Sequence, residues 1–363
     1  MAKRISVDRW LFIVTLFLVF VGLVMVFSAS AVMAKERYHS GYFFLVRQFG
    51  WAIAGFLAML AGMRIDYRRL KHPAVVFSLF GLTTLMLISV FFLDRAHHTH
   101  RWIHFGGFSC QPSELAKPVL ILFLAFFLEN RTRAMTDWRN TLIPAALPTC
   151  VFIGLIVFQP DLGTAIACAA ITICILFVAG LEIKYLAYAF VGSLLPLYFL
   201  IFHVAYRRDR ILAFLDPYSD PQGRGFHIIQ SLIAVSTGGL TGVGLMEGKE
   251  KLFYLPEPHT DFIFSVLGEE LGLIGCLTVV VLFALLLWRG IRTALRTEDQ
   301  FGRFLAVGIT SMVVVQAFIN ISVVLGLMPT KGIPLPLISY GGSSLFITLA
   351  CIGVLLNITK QAE

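Results

Sequence analysis

The sequence predicts an all-α fold: a polytopic integral membrane protein of about ten transmembrane helices. Two observations predict it. Of 363 residues, 58% are hydrophobic and only 14% are charged, whereas soluble domains run nearer half apolar and a quarter charged. The apolar excess is gathered into runs of about 20 residues, the length that crosses a hydrocarbon core. In lipid only helices and closed barrels satisfy their backbone groups, and these runs lack the two-residue alternation of a barrel strand. One transmembrane domain, 1–363, follows, with no separate soluble domain.

The runs fall at 10–33, 43–63, 73–93, 113–129, 141–158, 162–181, 185–204, 262–288, 304–327 and 341–358. The first follows basic residues, as a signal peptide would. It exceeds a signal core in length, so it is read as a retained span, with FSASAVMA the only cleavage-like patch. Between the fifth and sixth runs, QPDLG is a short break, and Asp161 after its proline is placed to cap the next helix. The one long connection is 205–261, between spans seven and eight. Within it, 225–239 has Phe226, Ile229 and Ile233 at helical spacing, which suits a helix in the interface plane or one packed on the spans. Lys and Arg crowd the segments on the N-terminal side of the bundle. By the positive-inside rule both termini lie in the cytoplasm, and 95–112, 205–261 and 328–340 share the outer face.

The net charge of +8 belongs to those inter-span segments. No basic run is interleaved with aromatics in a soluble fold, so nucleic acid is not an expected partner. The six cysteines show no CxxC or Cys/His ligand spacing, and all but Cys110 lie in apolar runs, where Cys acts as a small hydrophobe. No disulfide and no zinc is expected. His97, His98 and His100 look like a metal cluster, but no carboxylate follows at helical spacing, and a solvated loop is expected.

The outer segments carry the candidate chemistry. In PEPHTDFIFSVLGEELG (256–272), Asp261 sits where a polar stretch meets an apolar run. An ionisable residue at membrane depth is a functional-site hypothesis by default. His259 and Thr260 beside it can hydrogen-bond. At 101–118, Arg101 and Trp102 are interfacial anchors or hold a phosphate and stack on a sugar. Glu114 and Lys117 share a helix face, either as a structural ion pair or with Lys117 also facing an anion. Gln230 and Ser231 lie in the 225–239 helix. GGLTGVGLMEGK (238–249) offers glycines for close approach and ends on Lys249, but Glu250 follows, so it is no Walker loop. The broken stretch 327–344 contributes Lys331, Ser339 and Ser343 as donors, if it lines a cavity rather than forming a plain turn and a small-residue helix seam.

In their order and spacing RWI, QPSELAK, QPDLGTA, QSLIA, LPEPHTDFIFSVLGEELG and PLISYGGSS resemble the SEDS family (shape, elongation, division and sporulation), the polytopic peptidoglycan glycosyltransferases. The resemblance spans nearly the whole chain. FSAS and MPTKG look more like the division branch than the elongation branch. The resemblance implies polymerisation of lipid II into β-1,4 glycan strands on the outer face of the cytoplasmic (inner) membrane during septal wall synthesis, with undecaprenyl pyrophosphate leaving. Asp261 matches the family's essential loop aspartate, in the role of general base. Arg101, Lys117, Lys249 and Lys331 are then candidates for the pyrophosphate. The implied partners are a class B penicillin-binding protein (a transpeptidase), other division proteins and membrane lipid. No protein metal cage is visible; a divalent ion, Mg or Mn, could screen the pyrophosphate.

Two other classes compete. A lipid II transporter would string ionisable residues along a path, often in internal repeats; no repeat is visible and the ionisable residues gather at outer span ends. A non-catalytic scaffold leaves the Asp261 constellation unexplained.

Overall fold

A computed structural model describes residues 7–93, 101–105, 108–131, 137–252, 254–255, 257–330 and 332–361. Helices stand at all ten expected spans: α1 (Arg9–Tyr38), α2 (Phe43–Arg64), α3 (Pro73–Leu93), α4 (Pro112–Leu128), α5 (Ile143–Phe158), α6 (Leu162–Val178) and α7 (Ile183–Phe202), then α10 (Ile263–Arg296), α11 (Gln300–Val324) and α12 (Gly342–Gln361). The connection 205–261 contains α8 (Ala205–Leu215), which the periodicity does not announce, and α9 (Phe226–Thr237), which it does. Eight described helices are long and apolar enough to cross a bilayer. The seventeen-residue α4 and α6 are at the short end of the spanning range. A small antiparallel hairpin, β1 (Ile103–Phe105) and β2 (Phe108–Cys110), precedes α4.

α11 lies at the centre, against α10, α6 and α4, while α12 packs most extensively on α2. Small residues allow that approach, as in other membrane helix pairs: a Cβ on Gly353 of α12 would lie 2.4 Å from the Met59 carbonyl of α2. α7 is the exception, with no buried residue, and it packs mainly on α8. The start of α1 and the end of α12 meet at one end of the bundle, where the Asp8 amide donates to Thr359 Oγ1 (3.4 Å) and Arg289 pairs with the Asp8 carboxylate.

The sequence reads as one uninterrupted eighth span, but α10 is broken at Gly272 (φ 64°, ψ −162°). That backbone region is essentially restricted to glycine. The break is mended by the glycine loop after α9. Leu273 N and Ile274 N donate to the carbonyls of Gly239 and Leu240, while Val243 N and Gly244 N donate to those of Glu269 and Glu270. The two glutamates lock the loop from below. Glu269 accepts from the amides of Lys249 (2.6 Å) and Glu250 (3.3 Å). Glu270 takes Ser28 Oγ of α1 (2.6 Å) and Lys251 Nζ (2.5 Å), with both charged side chains almost wholly buried. Breaking such a pair from one side costs roughly 3–5 kcal/mol. The result is a short rigid helix, 263–271, held at its C-terminal end by the loop and carrying Asp261 just before its N-terminus.

Candidate active site

The turn 257–261 is anchored through its backbone. Ser339 Oγ donates to the Thr260 carbonyl (2.6 Å) and accepts from Leu335 N (2.8 Å). Tyr340 N donates to the His259 carbonyl (2.9 Å). Asn320 Nδ2 of α11 bridges the carbonyls of Asp261 (2.8 Å) and Ile333 (2.7 Å). Left-handed backbone at Glu257 (φ 48°) and Leu337 (φ 66°) marks local strain in both segments, which persists only where the surroundings enforce it. His259 packs against the rings of both Phe44 (4.5 Å) and Tyr340 (5.5 Å), which also touch each other (5.0 Å).

This anchoring aims the Asp261 carboxylate into a cavity of about 250 Å³ whose wall includes Arg101, Asp161, Arg207 and Arg210. Carbonyl groups hold the three arginines. Arg101 donates to Gln159 O (3.2 Å) and Pro160 O (2.5 Å), Arg207 to Leu200 O and Val157 O (3.1 Å each), and Arg210 to Thr330 O (3.1 Å). Most of these acceptors lie at the ends of α5 and α7, where the helix dipole favours cations. Asp161 caps α6, accepting from Thr164 N (3.1 Å) and Thr164 Oγ1 (2.8 Å). Burial pushes the Asp261 carboxyl up to about 7; Arg210 and Arg101 pull against this, while Glu257 and Asp161 add to it. A carboxyl so placed exchanges protons near neutral pH, where a general base works best.

Gly332 sits directly against that carboxylate: a Cβ there would lie 2.9 Å from Asp261 Oδ2. Gly332→Ala is expected to turn the carboxylate away while leaving the fold intact. A displacement near 1 Å costs about 100-fold in rate, so kcat should fall by one to two orders of magnitude. Thermal unfolding should stay within a degree or two of the parent; an unchanged kcat would show that the carboxylate's position is not critical.

Behind the same turn lies a second cavity, of about 930 Å³, lined by His259, Thr260, Tyr340, Trp51, Trp102, Arg37 and Arg47. Consecutive residues Arg101 and Trp102 thus line different cavities. His259 is 3% exposed, and burial, with Arg37, pushes its imidazole down to about 4. It is therefore neutral at physiological pH, and its Nδ1 has no hydrogen-bond partner among the described residues. Aromatic faces, arginines and an unsatisfied ring nitrogen suit a polar ligand with an apolar face, such as a sugar.

Two carboxylates beside three arginines, backed by an aromatic chamber, could support acid–base work on an anionic ligand. Residues 8–363 match the FtsW/RodA/SpoVE family, described as "Cell cycle protein". The chain belongs to that family. It is 47% identical over 343 residues to a Geobacter metallireducens protein named probable peptidoglycan glycosyltransferase FtsW, covering 94% of this chain and 92% of that one. Stage V sporulation protein E of Bacillus subtilis is 44% identical over 99% of both chains. Among solved structures, a chain from a peptidoglycan synthase complex, in work on how polymerization and crosslinking are coordinated, matches with TM-score 0.81 and 33% identity over 98% of both chains. Thermus thermophilus rod shape determining protein RodA matches with TM-score 0.71 and 29% identity, over 98% of this chain and 97% of that one.

The FtsW/RodA/SpoVE motifs read from the sequence divide into two groups in space. Asp261 and Arg101 share the smaller cavity, and Trp102, His259 and Thr260 line the larger. Several of the other candidates are held by the framework around them. Lys117 Nζ pairs with Glu114 (2.9 Å) and donates to Gln316 Oε1 (2.7 Å), and Gln316 Nε2 reaches the Pro334 carbonyl (3.1 Å). Both charges are buried, and neither lines the two cavities. Ser231 is buried between Ser265 Oγ and the Val324 carbonyl, seating α9 on α10 and α11. Gln230 is half-buried on α9, Lys249 is exposed, and Ser343 is buried in the first turn of α12. The Ser339 hydroxyl is engaged by backbone. Lys331, like His97, His98 and His100, lies outside the described residues; its neighbours Thr330 and Gly332 line the Asp261 cavity. Sequence reasoning missed Arg207 and Arg210. The signal was there, in the basic run AYRRDR at the exit of the seventh span.

Proposed function

We propose that this chain polymerises lipid II into β-1,4 glycan strands at the outer face of the cytoplasmic membrane, as a peptidoglycan glycosyltransferase of the division type. The observation that carries the proposal is the Asp261 carboxylate, titrating near 7 on the wall of an arginine-rich cavity. The names of the relatives support the reaction class. The bias of Lys and Arg, with the start of α1 and the end of α12 at the end opposite Asp261, supports a cytoplasmic N- and C-terminus and an extracytoplasmic site.

In the reaction, Asp261 takes the proton from the acceptor sugar hydroxyl as its oxygen attacks the anomeric carbon of the donor. The bond from that carbon to the pyrophosphate oxygen breaks, and undecaprenyl pyrophosphate leaves with the electron pair. One displacement inverts the anomeric centre. Arg101, Arg207 and Arg210 meet the charge growing on the leaving group, which is what preorganised donors do in a transition state. The aromatic chamber holds a sugar on the other side of the turn. Mg²⁺ usually binds through one or two carboxylates together with substrate phosphates. Asp161, on the same wall, could take part in such a site for Mg²⁺ or Mn²⁺, which would screen the leaving pyrophosphate and leave Asp261 free as the base. The likeness to a chain of a synthase complex supports a class B penicillin-binding protein as partner, alongside other division proteins.

The test uses purified full-length protein, its cognate transpeptidase and labelled lipid II. Polymer from the parent and none from Asp261→Ala is expected. Full polymerisation by the variant would overturn the assignment of Asp261, and transbilayer movement of lipid II without polymer would point to a transporter. A pH series adds a second check. Activity should rise with pH through about 7 as Asp261 loses its proton. Arg210 favours the ionised form, so in Arg210→Gln the rise should move to higher pH; a rise left in place would separate Arg210 from the base.

A further inference from the structure

At the end of α10 far from Asp261, α1 and α10 enclose a cavity of about 340 Å³ lined by Trp10, Val14, Leu285, Trp288, Arg289 and Arg292. It is independent of the site above. Arg289 is fixed in place: Nε and Nη2 bind the Asp8 carboxylate (2.6 and 2.5 Å), whose other oxygen caps α1 at Leu11 N (3.1 Å). Asp8 is thereby fully committed, and Arg289 Nη1 meets no acceptor among the described residues. Arg292 lies one turn on, half-buried, with its guanidinium 5.9 Å from the Trp288 ring and no protein oxygen taking a hydrogen bond from it among those residues. Two indoles, Trp10 (65% exposed) and Trp288 (55% exposed), flank the opening, as tryptophans do at headgroup level. Below them Val14 and Leu285 lead to exposed apolar side chains such as Phe17 and Val281.

From this pocket we infer a binding site for one anionic phospholipid, with its phosphodiester between Arg289 and Arg292 and its acyl chains along α1 and α10. A surplus guanidinium, no acid among the described pocket residues left to neutralise it, and an apolar floor select a lipid anion over a zwitterion. Basic pockets between spans hold anionic headgroups in this way, and each Lys or Arg near the surface contributes about 1 kcal/mol, roughly fivefold.

The full-length protein, in micelles doped with brominated phosphatidylglycerol or brominated phosphatidylcholine, tests this by tryptophan quenching. Phosphatidylglycerol should quench at about fivefold lower mole fraction. The preference should vanish in Arg292→Gln, whose thermal unfolding should match the parent, and also in the Trp10→Phe/Trp288→Phe chain, whose three remaining tryptophans do not line the pocket. Equal quenching by the two lipids, or a preference that survives in Arg292→Gln, overturns the site. Relief of quenching by inorganic phosphate at matched ionic strength would mark a free-phosphate site instead and overturn the lipid assignment.

Discussion

Asp261→Asn is expected to slow polymerisation severely and, at neutral pH, to make the protein more stable. The two effects have one cause. Burial raises the Asp261 carboxyl to about 7 in the folded chain, against roughly 3.9 in an unfolded one. Between those values the native state binds a proton that the unfolded state does not, so stability falls as pH rises through this window and stays lowered above about 7. Three units at about 1.4 kcal/mol each bound the penalty at roughly 4 kcal/mol. The carboxylate keeps one face on cavity solvent, which brings the expectation to roughly 1–3 kcal/mol. Asparagine has the same shape and no charge to desolvate. Its stability gain over the parent should therefore be absent near pH 4 and complete by pH 8, while loss of the base should lower polymerisation by about 10²- to 10⁴-fold. Thermal unfolding at the two pH values, with a lipid II assay on the same samples, checks both halves. An equal unfolding temperature for variant and parent at pH 8 would contradict the buried, destabilised carboxylate.

The helical framework was legible because lipid imposes a length on every span, and the ends of α2 and α3 and the start of α6 fall where hydropathy changes. Asp261 was legible because a charge beside an apolar run is costly. Side-chain direction was not. Lys117 and Ser339 have the chemistry of ligand contacts, yet one is consumed by Glu114 and Gln316 and the other by the backbone of Leu335 and Thr260. Spacing along the chain does not say which way such a group turns. Arg207 and Arg210 were missed for the opposite reason: α8 opens with polar residues, and only the fold brings them beside Asp261. The break in α10 was hidden because GEELGLIG scans as continuous helix, and only the neighbouring glycine loop reveals where its backbone hydrogen bonds go.

That break supports the second large effect. Gly272→Ala is expected to destabilise the protein by roughly 2–6 kcal/mol. About 1–3 kcal/mol comes from a side chain forced to φ 64°, ψ −162°, and about 1–3 kcal/mol from overpacking. The new Cβ would lie 2.4 Å from Gly242 N and 2.6 Å from the Leu240 carbonyl. Relief requires the glycine loop to lift, which undoes the four backbone bonds across the break and disturbs the seat of Lys251 on Glu270. The helix 263–271 then loses the hold on its C-terminal end, and Asp261, two residues before it, loses its register against Gly332 and Arg210. Stability and activity should fall together, unlike in Gly332→Ala, where activity falls alone. Gly154→Ala is the matched control: its Cβ would meet nothing within 4 Å, and replacing a helical glycine by alanine there should gain up to about 1 kcal/mol. Thermal unfolding of the two variants side by side decides the matter. A Gly272→Ala chain as stable as Gly154→Ala would mean that α10 runs through residue 272 without a break, and that the loop has no part in holding Asp261.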